Sequence, residues 1–208
     1  MPDPGPAPES SAPHTRANAP PLSRSGRIVL LVILLTASLA RVIGLQNLPA
    51  GLFCDEAALG YNAWAILHHG VDENGVKLPL FVWSLDNSYK DPVYLYAAML
   101  PIGLLGLDEF SLRLTSAAFG IATVLALFLL GRALYGNKAG LAAAALLAIC
   151  PWHIHFSRIA FEVISFPLLF AIGLLLLIRF TRGERTLPLA FFLFGSCLYA
   201  YAIAKLFI

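Results

Sequence analysis

The stretch GLFCDEAALGYNAWAIL, residues 51–67, sets Asp55 and Glu56 side by side just beyond a long apolar run. Adjacent carboxylates at a helix start have a structural use, because acids in the first turn favour the positive end of the helix dipole by about 0.3–1 kcal/mol each. They also have a chemical use, since a carboxylate in a partly apolar setting can accept the proton of a hydroxyl held within about 2.6–3.2 Å. Further on, CPWHIHFSRIAFE carries Arg158 and Glu162, a cation and a carboxylate. His153 and His155 in the same stretch could ligate a divalent metal ion together with Glu162, while Trp152 beside them also fits an ordinary membrane boundary. Local sequence leaves capping and chemistry both open, so the elements that carry these residues must decide whether they meet.

Of 208 residues, 59% are hydrophobic and 12% charged, whereas a soluble domain carries about 25% charge. The chain is therefore an integral membrane protein. A formal charge of +2 gives no electrostatic reason for a nucleic-acid partner. Cys54, Cys150 and Cys197 are scattered with no C-x-x-C spacing, so they suggest neither a disulfide framework nor a zinc site. No G-x-G-x-x-G or Walker-type loop for a soluble nucleotide is present.

Seven of the fourteen prolines fall in residues 1–26, which read as a disordered cytoplasmic tail ahead of a transmembrane module over 27–208. Arg24 and Arg27 precede IVLLVILLTASLARVIGL, and a first span is predicted at about 27–46. The rival reading of this run, a cleavable signal with its cut near Ser38–Ala40, is disfavoured because the apolar stretch continues on both sides of the cut. Further spans are predicted at 110–134, 138–156, 160–180 and 187–208. The segment PVYLYAAMLPIGLLGL, 92–107, is about 24 Å of helix with Pro101 inside it, short of a crossing, and reads as a juxtamembrane or re-entrant helix. With that segment not crossing, the clusters Arg24/Arg27, Arg132/Lys138 and Arg179/Arg182/Arg185 all fall on the cytoplasmic side. The outer loop 47–109 then holds eight of the twelve acidic residues, Asp55 and Glu56 among them, and faces the same side as Arg158 and Glu162. CDEAALGYNAWAILHHG within it reads as a helix closed by Gly70. Arg113, near the start of a span, calls for an acidic partner such as Asp108 or Glu109. Arg41 either snorkels or pairs with an outer acid. The fold class is thus all-α, a polytopic transmembrane bundle with juxtamembrane helices in its first outer loop.

A first span followed by DE and an interfacial helix, then YKDPVYLY, EFSLRLTSAAFG, GRALYGNKAG and PWHIHFSRIAFE, resembles the N-terminal module of the GT-C-fold glycosyltransferases of the family 39 type, a group that includes the protein O-mannosyltransferases and the lipid A aminoarabinose transferase. The resemblance implies transfer of a sugar from a polyprenyl phosphate donor to a protein, lipid or glycan acceptor on the outer face of the cell membrane, with inversion. It makes Asp55 and Glu56 the catalytic pair, with Asp55 as general base, and it assigns substrate binding to Lys90, Tyr94, Arg158 and Glu162. Lys90-Asp91-Pro92-Val93-Tyr94 matches the family's K-P-P-L-Y segment except that Asp91 replaces the first proline. The leaving phosphate would be met by Lys90, by Arg158 or by a divalent metal ion. The resemblance also implies further spans beyond the last residue, which makes this the N-terminal part of such an enzyme. The alternative is a non-catalytic polytopic protein, transporter-like or a scaffold subunit, or an inactive fragment of the transferase.

Overall fold

The computed structural model describes residues 20–84 and 88–201. The tail expected over 1–26 lies outside the described residues up to 19, as does the apolar segment beyond 201. Among the described residues the chain is an all-α bundle with one small hairpin. Its elements are α1 Arg24–Val42, α2 Cys54–His69, β1 Val82–Trp83, β2 Tyr89–Lys90, α3 Pro92–Leu105, α4 Glu109–Tyr135, α5 Asn137–Ile149, α6 Pro151–Phe156, a 3₁₀ turn Glu162–Ile164, α7 Ser165–Phe180 and α8 Leu187–Cys197.

Local chemistry sets the boundaries. α1 begins at Arg24 because the Ser23 hydroxyl accepts the Gly26 N–H at 3.1 Å, and it stops at Val42, where Ile43 turns extended and Gly44 takes a φ of +66°. The apolar run is therefore longer than the helix it makes. α2 ends as expected at Gly70, which adopts the left-handed conformation and donates its N–H to Ile66. α4 starts where Asp108 accepts the Ser111 N–H at 2.6 Å. The stretch 138–156, expected as one span, is broken at Cys150 into α5 and α6, because Pro151 has no N–H with which to continue the ladder.

Among the described residues three stretches are long and apolar enough to cross a membrane: Arg24–Val42, Glu109–Tyr135 and Glu162–Phe180. α4 is the central one. It meets α1 and α5 through Val124, Phe128, Ile33, Ala37, Ala144 and Ala148, and it meets α7 through Ala126, Leu130, Ala171 and Leu175. The α4–α5 contact is backbone-close, since a Cβ on Gly140 would lie 2.6 Å from the Phe128 carbonyl oxygen and 2.8 Å from the Arg132 nitrogen. Small residues at such seams are how apolar helices gain packing where lipid removes the hydrophobic drive.

A third cluster joins α2 and α3 to the N-terminal end of α4, with Leu59, Ala63 and Ile66 against Leu95, Ala98, Ile102 and Leu112. α3 thus lies beside the first turns of α4, with Leu100 and Leu104 turned outward at 70% and 75% exposure. Along α4 the rise from Arg113 to Arg132 is about 28 Å, close to the thickness of a bilayer core. The bundle therefore has two ends. One gathers α2, α3, the hairpin and the turn after α6; the other gathers the start of α1, the α4–α5 corner and the α7–α8 loop, where Arg132 and Asn137 both donate to the Pro20 carbonyl. The three cationic clusters share this second end.

Candidate active site

Asp55 and Glu56 open α2, yet they meet different surroundings. Glu56 is 1% exposed and faces Arg113, which is fully buried. Arg113 Nε donates to Glu56 Oε1 at 2.9 Å and Nη2 to Oε2 at 3.0 Å, a two-pronged clasp. The other Arg113 donors reach the carbonyls of Leu45, Pro49 and Gly51, so one guanidinium fastens the whole turn between α1 and α2. Glu56 accepts two backbone donors as well, Ala160 N–H at 2.8 Å and Phe53 N–H at 3.1 Å. Burial pushes the Glu56 pKa up, but these hydrogen bonds and the Arg113 charge outweigh it and hold the carboxyl below its usual range. Arg113 therefore pairs with Glu56 and not with Asp108 or Glu109, because Asp108 is occupied as the α4 cap.

Asp55, one residue earlier, points to the other side. Its Oδ1 accepts Lys90 Nζ at 2.5 Å, and its side chain keeps 26% exposure while that of Lys90 has 3%. Lys90 is delivered by the hairpin, in which Val82 pairs with Lys90 and Trp83 with Tyr89, and its ammonium also donates to Ser88 Oγ at 2.9 Å. The next residue ties the hairpin to the 3₁₀ turn after α6, for Asp91 N–H donates to Glu162 Oε1 at 2.6 Å. A proline at position 91 would have no N–H to give, so the departure from K-P-P-L-Y has a structural counterpart. Asp55, Lys90 and Glu162 are thus joined through two hydrogen bonds and one peptide unit. Trp83 and Tyr89 stand beside them as an exposed edge-to-face pair with ring centroids 4.7 Å apart.

The other predicted residues fall elsewhere. Tyr94, expected at the substrate, is fully buried, with its hydroxyl 2.7 Å from Ser116 Oγ and donating to Leu112 O at 3.1 Å. Its place is the α3–α4 seam. Arg158, expected at the donor phosphate, closes the end of α1 by donating to the carbonyls of Ala40, Ile43 and Leu48. Arg41 neither snorkels nor meets an acid; it is buried and donates to Ala37, Leu147 and Ala148 carbonyls, to Ser157 Oγ and to His153 Nδ1. His155 lies edge-on to Phe156. Among the described residues no three His, Cys, Asp or Glu side chains come together as a metal-holding group, so His153, His155 and Glu162 do not form the cluster that their spacing allows. Sequence reasoning missed the Glu56–Arg113 clasp, although an arginine inside a span was a signal that a buried carboxylate had to lie nearby.

A cavity of about 500 Å³ opens on the Glu56 side of α2, lined by Leu52, Phe53, Glu56, Phe156, Ile159 and Phe161 among others. It is mostly apolar with one carboxylate at its wall. The arrangement as a whole sets a partly exposed carboxylate–ammonium pair over a rigid buried ion pair at one end of an apolar bundle. It can offer a carboxylate at Asp55 and a cation from Lys90, with the apolar cavity on the other, Glu56 side of α2.

No curated protein and no solved structure matches the chain. Residues 89–208 match the family described as dolichyl-phosphate-mannose-protein mannosyltransferase, a stretch that contains Lys90, Arg158 and Glu162 and begins after Asp55 and Glu56. Lys90, inside that stretch, is the residue that reaches Asp55. With more than half of its length matched, the chain belongs to the dolichyl-phosphate-mannose-protein mannosyltransferase family, and so to the membrane glycosyltransferases of the mannosyltransferase kind.

Proposed function

We propose that the chain forms the acceptor-activating part of an inverting transferase, which moves a sugar from a polyprenyl phosphate donor to an acceptor hydroxyl at the outer face of the cell membrane. The observation that carries this reading is the Lys90–Asp55 pair at the boundary end of the bundle. The donor keeps its lipid tail in the bilayer while the acceptor arrives from water, so a base serving both must stand where the two phases meet. In the step, the acceptor oxygen attacks the anomeric carbon as its proton passes to an Asp55 oxygen, and the carbon–oxygen bond to the phosphate breaks with its electron pair leaving on the phosphate. Lys90 holds Asp55 in place at rest and turns toward the phosphate as charge develops there. Glu56 is a positioning residue that fixes the first turn of α2 through Arg113. Glu162 acts likewise on the hairpin through Asp91.

The test uses membranes containing the whole gene product, supplied with a radiolabelled polyprenyl phosphate sugar. Transfer from that donor and none from a nucleotide sugar is the expected result. Lys90→Ala should raise the KM for the donor while the protein's abundance stays near normal. Transfer from the nucleotide sugar alone, or a loss of activity that merely tracks lost protein, would defeat the reading.

A further inference from the structure

The end of the bundle opposite Asp55 holds a second cavity, of about 270 Å³, between α4 and α7, lined by Leu129, Arg132, Ala133, Leu175, Arg179, Arg182 and Glu184. Three arginines and one glutamate line this small space. Arg182 is steered into it by donating to the Ala133 carbonyl at the end of α4, and Arg132 is braced from outside by donating to Pro20. Gly183 turns the loop with a φ of +92°, while Thr186 Oγ1 ties it back to Leu176 O at 2.7 Å. Among the described residues none of the three arginines forms an ion pair with a carboxylate. Like charges repel, so a concavity lined by three arginines, two of them anchored to backbone carbonyls, favours an anion.

We infer that this cavity is a headgroup site for an anionic phospholipid of the leaflet opposite the Asp55 face, seating a phosphodiester between Arg132, Arg179 and Arg182. Planar guanidinium forks match phosphate oxygens in pairs. A lipid is favoured over free phosphate for two reasons. The floor is apolar, Leu129 and Leu175 belonging to the seam between two spans, and Arg132 lies about one bilayer core from Arg113, at headgroup depth. Basic pockets between spanning helices at this depth are built for such headgroups. Glu184 at the exposed rim can accept from a headgroup hydroxyl, which points to a glycerol headgroup such as that of phosphatidylglycerol.

The experiment places the full chain in nanodiscs of phosphatidylcholine with a minority of phosphatidylglycerol and counts retained lipids by native mass spectrometry. Wild-type protein should retain phosphatidylglycerol selectively. Arg179→Gln, whose side chain anchors no backbone carbonyl, should reduce that selectivity about fivefold, the counterpart of about 1 kcal/mol per arginine at a charged surface. Arg185→Gln removes the same charge outside the cavity and should leave selectivity unchanged. Equal losses in the two variants would mean a diffuse surface field and overturn the site. Displacement of the lipid by excess inorganic phosphate would assign the cavity to free phosphate and overturn the lipid proposal. None of these readings uses sugar transfer, so the outcome is independent of the proposed reaction.

Discussion

Adjacent carboxylates in one helical turn end in opposite settings because α2 is half buried at its start: the side that faces α4 meets Arg113 and the next side meets Lys90. The Glu56–Arg113 pair is no proof of added stability, since desolvation offsets most of the attraction in such pairs, but removing one partner strands the other. Glu56→Gln should therefore cost about 3–5 kcal/mol and deplete folded protein from the membrane, as measured by thermal unfolding of purified protein. The pH dependence has a definite sign. The folded-state pKa of Glu56 is depressed, so its contribution is complete above the unfolded value of about 4.3 and is lost as the pH falls through the lower folded value. Wild-type protein should lose melting temperature on acidification over that range, and Glu56→Gln should lose less. An equal slope in both would remove Glu56 from the account. The residue types at this site were legible in the sequence, but the pairing was not. Asp108 and Glu109 are near Arg113 along the chain, whereas the true partner comes from a helix 57 positions away, and only the packing of α2 on α4 brings it there.

At the scale of elements, hydropathy located the helices and backbone chemistry set their limits. Gly70 announced the end of α2 in the sequence itself, whereas Asp108, expected as a partner for Arg113, caps α4 instead. The Cys150–Pro151 break lies inside an apolar run that continues across it, which hid the end of α5 within the span expected over 138–156. Hydropathy reports what lipid tolerates, not where a hydrogen-bond ladder stops. The same distinction separates glycines. Gly140→Ala would force a methyl group against the Phe128 carbonyl and the Arg132 nitrogen, both backbone atoms that cannot rotate aside, and should destabilise by about 1–3 kcal/mol. Gly195→Ala in α8 meets nothing within 4 Å and should be neutral or mildly stabilising. Melting temperatures of the two variants in the same detergent check the contrast. Equal behaviour would mean that α4 and α5 do not meet along Gly131 and Gly140.

At the scale of the whole molecule, charge sorts the bundle into an acidic end and a basic end about one bilayer apart. α3 sits at the acidic end beside α2 and does not lengthen the crossing set. In a background with its native cysteines replaced by alanine, a cysteine at exposed Asn74 should react with an impermeant thiol reagent applied outside, and one at exposed Lys138 should not. Labelling of both from outside would place α3 across the membrane. Under the proposed function that sidedness puts Asp55 where a lipid-borne donor and a water-borne acceptor meet, which is the central claim. Asp55→Asn tests it most directly, because asparagine keeps the size of aspartate and an oxygen for Lys90, and cannot take a proton. In membranes with the whole gene product, kcat for sugar transfer per folded protein should fall about 10²–10⁴-fold, far more than abundance or melting temperature falls with the loss of the Lys90 pair. Wild-type turnover in Asp55→Asn would contradict the account and leave Asp55 as a first-turn acid of α2 that anchors Lys90.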